Sequence, residues 1–166
     1  YISLTEFRKI PPRAKISALY NAFVIDENAY PKPAGYPEFQ ARDAVENYLL
    51  TEYTRDTARL SRETLVVSEH SQNIIRGKIT LAAKKLLFFS IPFDPGWSAK
   101  VDGENVKPVM VNIGFTGLFL GKGNHDIELK YTPPYFILST VISLVAILIY
   151  FYLLILPGVK YAEKPR

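Results

Sequence analysis

Few side chains in this sequence are placed to move a proton or polarise a substrate. His70 and His125 are far apart, and neither belongs to a metal-ligand pattern such as HExxH, so no metal site is expected. The carboxylates Asp94, Asp102, Glu104 and Asp126 fall at or beside turn-like stretches, where Asp is favoured for its hydrogen bonds to the local backbone. An acid or base for sugar transfer could be drawn from them, but turn formation accounts for them, Asp102 above all. The glycine-rich run at residues 114–123 (GFTGLFLGKG) lacks the GxxxxGK[ST] spacing of a phosphate loop and leads into a strand-like segment, so turn glycines explain it. No GxSxG elbow occurs. The expectation is therefore no catalytic residue, no metal and no cofactor in this chain.

Trp97, the only tryptophan, has apolar faces on which a sugar ring could stack. Phe93 and Asp94, in the adjoining loop at residues 92–96 (PFDPG), complete a candidate sugar contact. The competing role is a core anchor, because Trp97 alternates with Ala99 and Val101 along what reads as one strand face. Phe115 and Phe119 carry the same ambiguity.

Composition bounds what can position these residues. The chain has 166 residues, 48% hydrophobic and 22% charged, with 12 Pro and 9 Gly: too apolar for disorder and too rich in proline and aromatics for a coiled coil. Having no cysteine, it can form neither a disulfide framework nor a thiolate zinc site, whatever its compartment. The net charge of +4 is diffuse. Residues 1–134 hold 17 Lys and Arg against 15 Asp and Glu, and no basic stripe remains to follow a phosphate backbone, which argues against nucleic acid as a partner. Tyr1 stands where an initiator Met would, so a fragment of a longer chain is expected.

One segment sets the class. Residues 135–156 (YFILSTVISLVAILIYFYLLIL) are 22 consecutive residues without charge, Gly or Pro. As a helix they extend about 33 Å at ~1.5 Å per residue, enough to cross a hydrocarbon core of about 30 Å. Their Ser and Thr hydroxyls can return a proton to a carbonyl one turn earlier. Pro133-Pro134 and Pro157-Gly158 punctuate the two ends, and tyrosines near both ends suit the membrane interface. Residues 157–166 form a basic tail with three Lys and Arg, against two in the twenty residues before the span, which predicts a cytoplasmic tail and an extracytoplasmic preceding domain. The lipid bilayer is thus the first partner.

The remainder reads as mainly β: an antiparallel sandwich or jelly-roll-like module over residues 73–134, with a small α/β part at residues 1–72. Ile75, Ile79 and Leu81 alternate with polar residues, as do Ile127, Leu129 and Tyr131, the cleanest strand in the sequence. Residues 86–91 (LLFFSI) are apolar on both faces, which predicts a central strand covered on both sides. Asp102-Gly103 predicts a hairpin. Upstream, residues 13–24 and 63–69 are expected to add strands, residues 26–39 to form a proline-rich loop, and residues 41–53 an amphipathic helix with Val45, Leu49 and Tyr53 on one face. Three residues, Thr132 to Pro134, part the last strand from the span. Their reach of about 10 Å at ~3.3–3.6 Å per residue holds the β module to the bilayer surface.

The order FFSIPFDPGWSAKVDGENV, then VNIGFTGLFLGKGNHDIELKYTPP, then an apolar helix, resembles the C-terminal end of the YfhO family of bacterial multi-pass membrane proteins. The elements carrying the resemblance are Pro95-Gly96-Trp97, then Val101-Asp102-Gly103, a Gly-Phe strand, the turn holding Gly123 and His125, and the hinge Tyr131, Pro133 and Pro134. They cover about 70 residues. Pro12-Arg13-Ala14 and the helix expected at residues 41–53 are similar to the region preceding this module in the family. The resemblance implies a parent with many spans and a glycosyltransferase-like core that uses polyprenyl-phosphate sugars to glycosylate envelope polymers such as lipoteichoic acid. It places the catalytic acids in an early loop outside this chain and makes the matched positions architectural. The implied partners are the upstream transmembrane domain of the same parent and an envelope glycopolymer or polyprenyl-linked sugar. The rival is a membrane-anchored carbohydrate-binding or purely structural module without activity.

Overall fold

The structure, a computed structural model, describes residues 1–155. The expected basic tail and the final residue of the expected span lie outside the described residues. The chain divides into two compact units, Tyr1–Thr132 and Pro133–Arg166.

In the first unit, two five-stranded sheets pack face to face. One holds β3 (Val66–His70), β4 (Ile74–Leu81), β10 (Gly123–Tyr131), β6 (Trp97–Val101) and β7 (Glu104–Val106), in that order and antiparallel throughout. The other runs β1 (Ile2–Ser3), β2 (Val24–Ile25), β8 (Val109–Val111), β9 (Phe115–Leu120) and β5 (Lys85–Pro92), with only the β1–β2 pair parallel. The two-residue period of β10 directs Ile127 and Leu129 inward, and the register sets Leu129 between Ile75 of β4 and Ala99 of β6, and Ile127 between Gly77 and Val101. Leu118, Leu120 and Phe89 meet them from the opposite sheet in one buried cluster. Each of those leucines contributes about 1.5–3 kcal/mol through the area it removes from water. The expected mainly β, antiparallel sandwich is therefore what forms.

A second buried cluster lies at the amino-terminal end of the sandwich, where α1 (Leu4–Lys9) and α2 (Lys15–Asn21) pack on β1 and β2. Ser3 caps α1 by accepting the Glu6 N–H, and the Glu27 carboxylate takes the N–H groups of Leu4 and Thr5.

Three upstream and edge expectations change. Residues 13–24 become α2 rather than a strand, with only Val24 reaching β2, because Ala14, Ala18 and Ala22 recur every four residues and all are buried. The helix expected over residues 41–53 gives way to a single 3-10 turn at Ala41–Asp43 and a later helix, α3 (Leu50–Leu60). The Ser17 hydroxyl of α2 captures the Val45 N–H at 2.8 Å, removing a donor the earlier helix would use, and Glu52 caps α3 by accepting the Leu49 N–H at 3.0 Å. The buried residue of α3 is Asp56, which no apolar pattern marks. Finally, β5 is an edge strand, not a central one, and Phe88 on its outer face is exposed. Residues 63–69 do feed β3, and residues 26–39 form a loop without helix or strand.

The second unit holds α4 (Phe136–Ile155), 20 residues with no buried side chain and no charge. Its length is about 30 Å at ~1.5 Å per residue. Ser139 and Thr140 donate to the Phe136 carbonyl and Ser143 to that of Ser139, so the hydroxyls are satisfied within the helix. Tyr135, expected as its first residue, has φ of 64° and stands outside it.

Candidate functional site

The residues singled out in the sequence separate into two groups at opposite ends of the β6–β10 pair. Along the inner face of β10, His125, Ile127, Leu129 and Tyr131 form one row, with His125 at one end and Tyr131 at the other. Trp97 lies opposite Tyr131 and Val101 opposite Ile127.

At the Tyr131 end, Phe93, Asp94, Pro95, Gly96 and Trp97 come together with Thr132. The loop closes on itself: Asp94 Oδ1 accepts the Gly96 N–H at 2.7 Å, and the Asp94 carbonyl accepts the Trp97 N–H at 3.1 Å. The Gly96 carbonyl accepts the Thr132 N–H at 2.9 Å. A Cβ on Gly96 would collide with the Thr132 carbonyl, stand 2.7 Å from the Tyr131 ring and 2.9 Å from Asp94 Oδ1, so this position needs glycine for close approach. Trp97 and Tyr131 rings lie 5.0 Å apart at 51°, and Trp97 packs against the core while remaining partly exposed. Burial, and then the Asp94 carboxylate, push the Tyr131 hydroxyl above its ordinary range.

At the other end, Asp102 and Gly103 take φ of 55° and 85° and turn β6 into β7, the hairpin geometry the pair predicts. The Asp102 carboxylate then reaches across to the start of β10. Its Oδ1 accepts the Asp126 N–H at 2.8 Å, and its Oδ2 lies 2.7 Å from His125 Nδ1. The second ring nitrogen of His125 lies 3.2 Å from the Gly121 carbonyl. The carboxylate holds His125 above its usual value, and His125, with the Asp126 N–H, holds Asp102 below its own. With both nitrogens engaged and the ring mostly buried at 14% side-chain exposure, the pair clamps two turns together rather than presenting a free base. The sequence marks Asp102 as a turn former and does not connect it to His125; the lone cue it carries is an inward-facing His near the start of a strand.

Between the two ends, the outer face of the same sheet is a lattice of charges. Arg76 bridges Glu69 and Glu128, Lys78 meets Asp126 at 3.3 Å, and Thr80 donates to Asn124 at 2.8 Å. Arg76, Lys100, Asp126 and Glu128 border a shallow, open depression of about 250 Å³. Among the described residues, no group of three or more His, Asp and Glu side chains could hold a metal ion. Pro133 and Pro134 belong to the second unit.

The family model described as bacterial membrane protein YfhO matches residues 45–143, which takes in both ends of the sandwich and the start of α4. A protein of Bacillus subtilis (strain 168), described as uncharacterized protein YfhO, is 38% identical over 69 residues. That match covers 42% of this chain and 8% of the relative, so the chain spans a small part of the relative it matches. No solved structure matches the chain.

Proposed function

The chain belongs to the YfhO family of bacterial membrane proteins, and on that premise we propose that it supplies the extracytoplasmic domain and last transmembrane helix of a multi-pass envelope glycosyltransferase. In this reading the parent glycosylates a cell-envelope polymer of the lipoteichoic acid type from a polyprenyl-phosphate-linked sugar. The catalytic core lies upstream. The domain shapes the acceptor side, its partners being the parent's own transmembrane domain and the glycopolymer, and the tail beyond α4 faces the cytoplasm.

The observation that carries this reading is where the polar groups of the family's motifs go. Asp94, Asp102 and His125 spend their hydrogen bonds closing turns, as architectural residues do. The outward polarity of the domain lies instead on the β3–β4–β10–β6–β7 face, where cations and carboxylates alternate at strand spacing around the depression. Such a surface offers donors and acceptors to sugar hydroxyls without a strong net charge.

The test uses the full-length parent in cells. Arg76→Glu together with Lys100→Glu should lower the sugar content of the envelope polymer at unchanged protein level. Unchanged sugar content sinks the acceptor-side role, and a domain protected from protease added to whole cells sinks the orientation.

A further inference from the structure

The end of the sandwich from which the chain leaves toward α4 differs from the opposite end in the charge of its loops and in one strained turn that holds a β-branched residue. Its three loops, residues 71–73, 93–96 and 112–114, contain one charged residue, Asp94, whose carboxylate is bound to the Gly96 N–H. The three loops at the other end, residues 82–84, 102–103 and 121–122, contain Lys84, Asp102 and Lys122 in a shorter total length.

The β8–β9 turn is the strained point. Asn112, Ile113 and Gly114 all have positive φ, at 50°, 65° and 137°. A β-branched residue in the left-handed region is a true outlier, and Asn or Gly would sit there more easily. The strain is held from three sides. Asn112 exchanges two bonds with Val24, its N–H donating to the Val24 carbonyl at 2.9 Å and its Oδ1 accepting the Val24 N–H at 2.8 Å. The Gly114 N–H donates to the Val111 carbonyl at 3.2 Å, and the Gly114 carbonyl accepts the Phe93 N–H at 2.8 Å. What the turn presents is an aliphatic side chain that is 65% exposed. Beside it lie Phe115 at 39% and Phe88 at 43%, their rings 5.5 Å apart on the outer face of β9 and β5.

The same loops fix where this lip lies relative to the chain exit. Phe93 is bonded to Gly114, and Gly96, three residues further on, is bonded to Thr132. Four residues, Thr132 to Tyr135, then lead into α4, a reach of about 14 Å at ~3.3–3.6 Å per residue. The chain thus leaves the domain from this end only four residues before α4 begins.

We propose that Ile113, Phe115 and Phe88 form a lip that dips into the interfacial layer of the bilayer, so that lipid covers the apolar end of the domain. Exposed apolar side chains beside three loops whose one charged group, Asp94, is hydrogen-bonded, with four residues between this end and the span, are suited to lipid as their apolar medium. The strained turn leaves the Ile113 side chain exposed at this end. This inference needs only the membrane span, and it stands or falls apart from any role in glycosylation.

The chain has no cysteine, so single-cysteine variants carry one label each. The full chain, reconstituted in phosphatidylcholine–phosphatidylglycerol vesicles, would carry a nitroxide at Ile113→Cys or, at the opposite end, at Lys122→Cys. Relaxation by oxygen relative to a water-soluble nickel chelate should be several-fold higher at position 113 than at 122. Phe115→Cys, whose backbone conformation is ordinary strand, repeats the measurement should a label at 113 disturb the turn. A label at both 113 and 115 as open to the chelate as that at 122 overturns the proposal. Shielding from both oxygen and chelate overturns it too, because protein rather than lipid would then cover the lip.

Discussion

His125 and Asp102 join the two turns farthest from the chain exit, and their geometry favours the protonated imidazole. Asp102 Oδ2 and the Gly121 carbonyl can only accept hydrogen bonds, and they face the two ring nitrogens of His125 at 2.7 and 3.2 Å. Both nitrogens donate only in the imidazolium. The Asp126 side chain, next along β10, is turned to Lys78 on the outer face.

The clamp has a pH window with two edges. His125 is raised above 6.5, so its contribution is complete below 6.5 and is lost as pH rises through the raised value. Asp102 is lowered below 3.8, so its contribution holds above 3.8 and is lost as pH falls through the lowered value. NMR titration of the detergent-solubilised chain should place His125 above 6.5, and Asp102→Asn should bring it back toward 6.5. A His125 titration indifferent to Asp102→Asn contradicts the clamp.

Gly96 is required by contact, not by φ. Gly96→Ala should cost about 1–3 kcal/mol, the range of an overpacked site, because the Thr132 backbone cannot give way without breaking its bond to residue 96. Gly121→Ala, where a Cβ meets nothing within 4 Å, should stay within about 0.5 kcal/mol of the parent. Denaturant unfolding of the two variants side by side checks the contrast, and equal costs would falsify it.

Asp56 is the buried carboxylate of α3, held low chiefly by the Tyr48 hydroxyl, which donates to its Oδ2 at 2.7 Å, with Arg55 and Arg59 close by. Tyr48→Phe should raise the Asp56 titration toward its ordinary value. Because a depressed carboxylate stabilises above its unfolded value of about 3.8 and loses that as pH falls, the acid-unfolding midpoint should move up in pH. Carbon-detected NMR of the Asp side chains reads the first effect and circular dichroism against pH the second.

Ser17 holds the segment before α3 out of helix by accepting the Val45 N–H, and it is itself almost fully buried. Ser17→Ala should destabilise the domain by about 1 kcal/mol through the lost partner. Hydrogen exchange at Val45 should accelerate in the same variant. Protection unchanged at Val45 would show that the hydroxyl does not pin this segment.

The local signals in the sequence were sufficient for the apolar span, for the strand of alternating residues ending at Tyr131, for the Asp102-Gly103 hairpin and for the family resemblance carried by residues 88–134. Each rests on neighbours in the chain: a continuous run without charge, a period of two, or a dipeptide tolerant of positive φ. They failed where a distant partner decided the outcome. The helix expected at residues 41–53 moved to Leu50–Leu60 because Ser17 takes the Val45 N–H and because the buried group is a carboxylate satisfied by Tyr48. The strand at residues 86–91 is apolar on both faces yet sits at a sheet edge, since strand order depends on pairings that composition does not encode. Only the folded chain separates the motif residues into two ends, one bound by Asp102 and His125 and the other at the exit by Thr132. That separation follows from antiparallel register, in which residues far apart in sequence become neighbours while residues a few positions apart along a strand are carried to opposite ends.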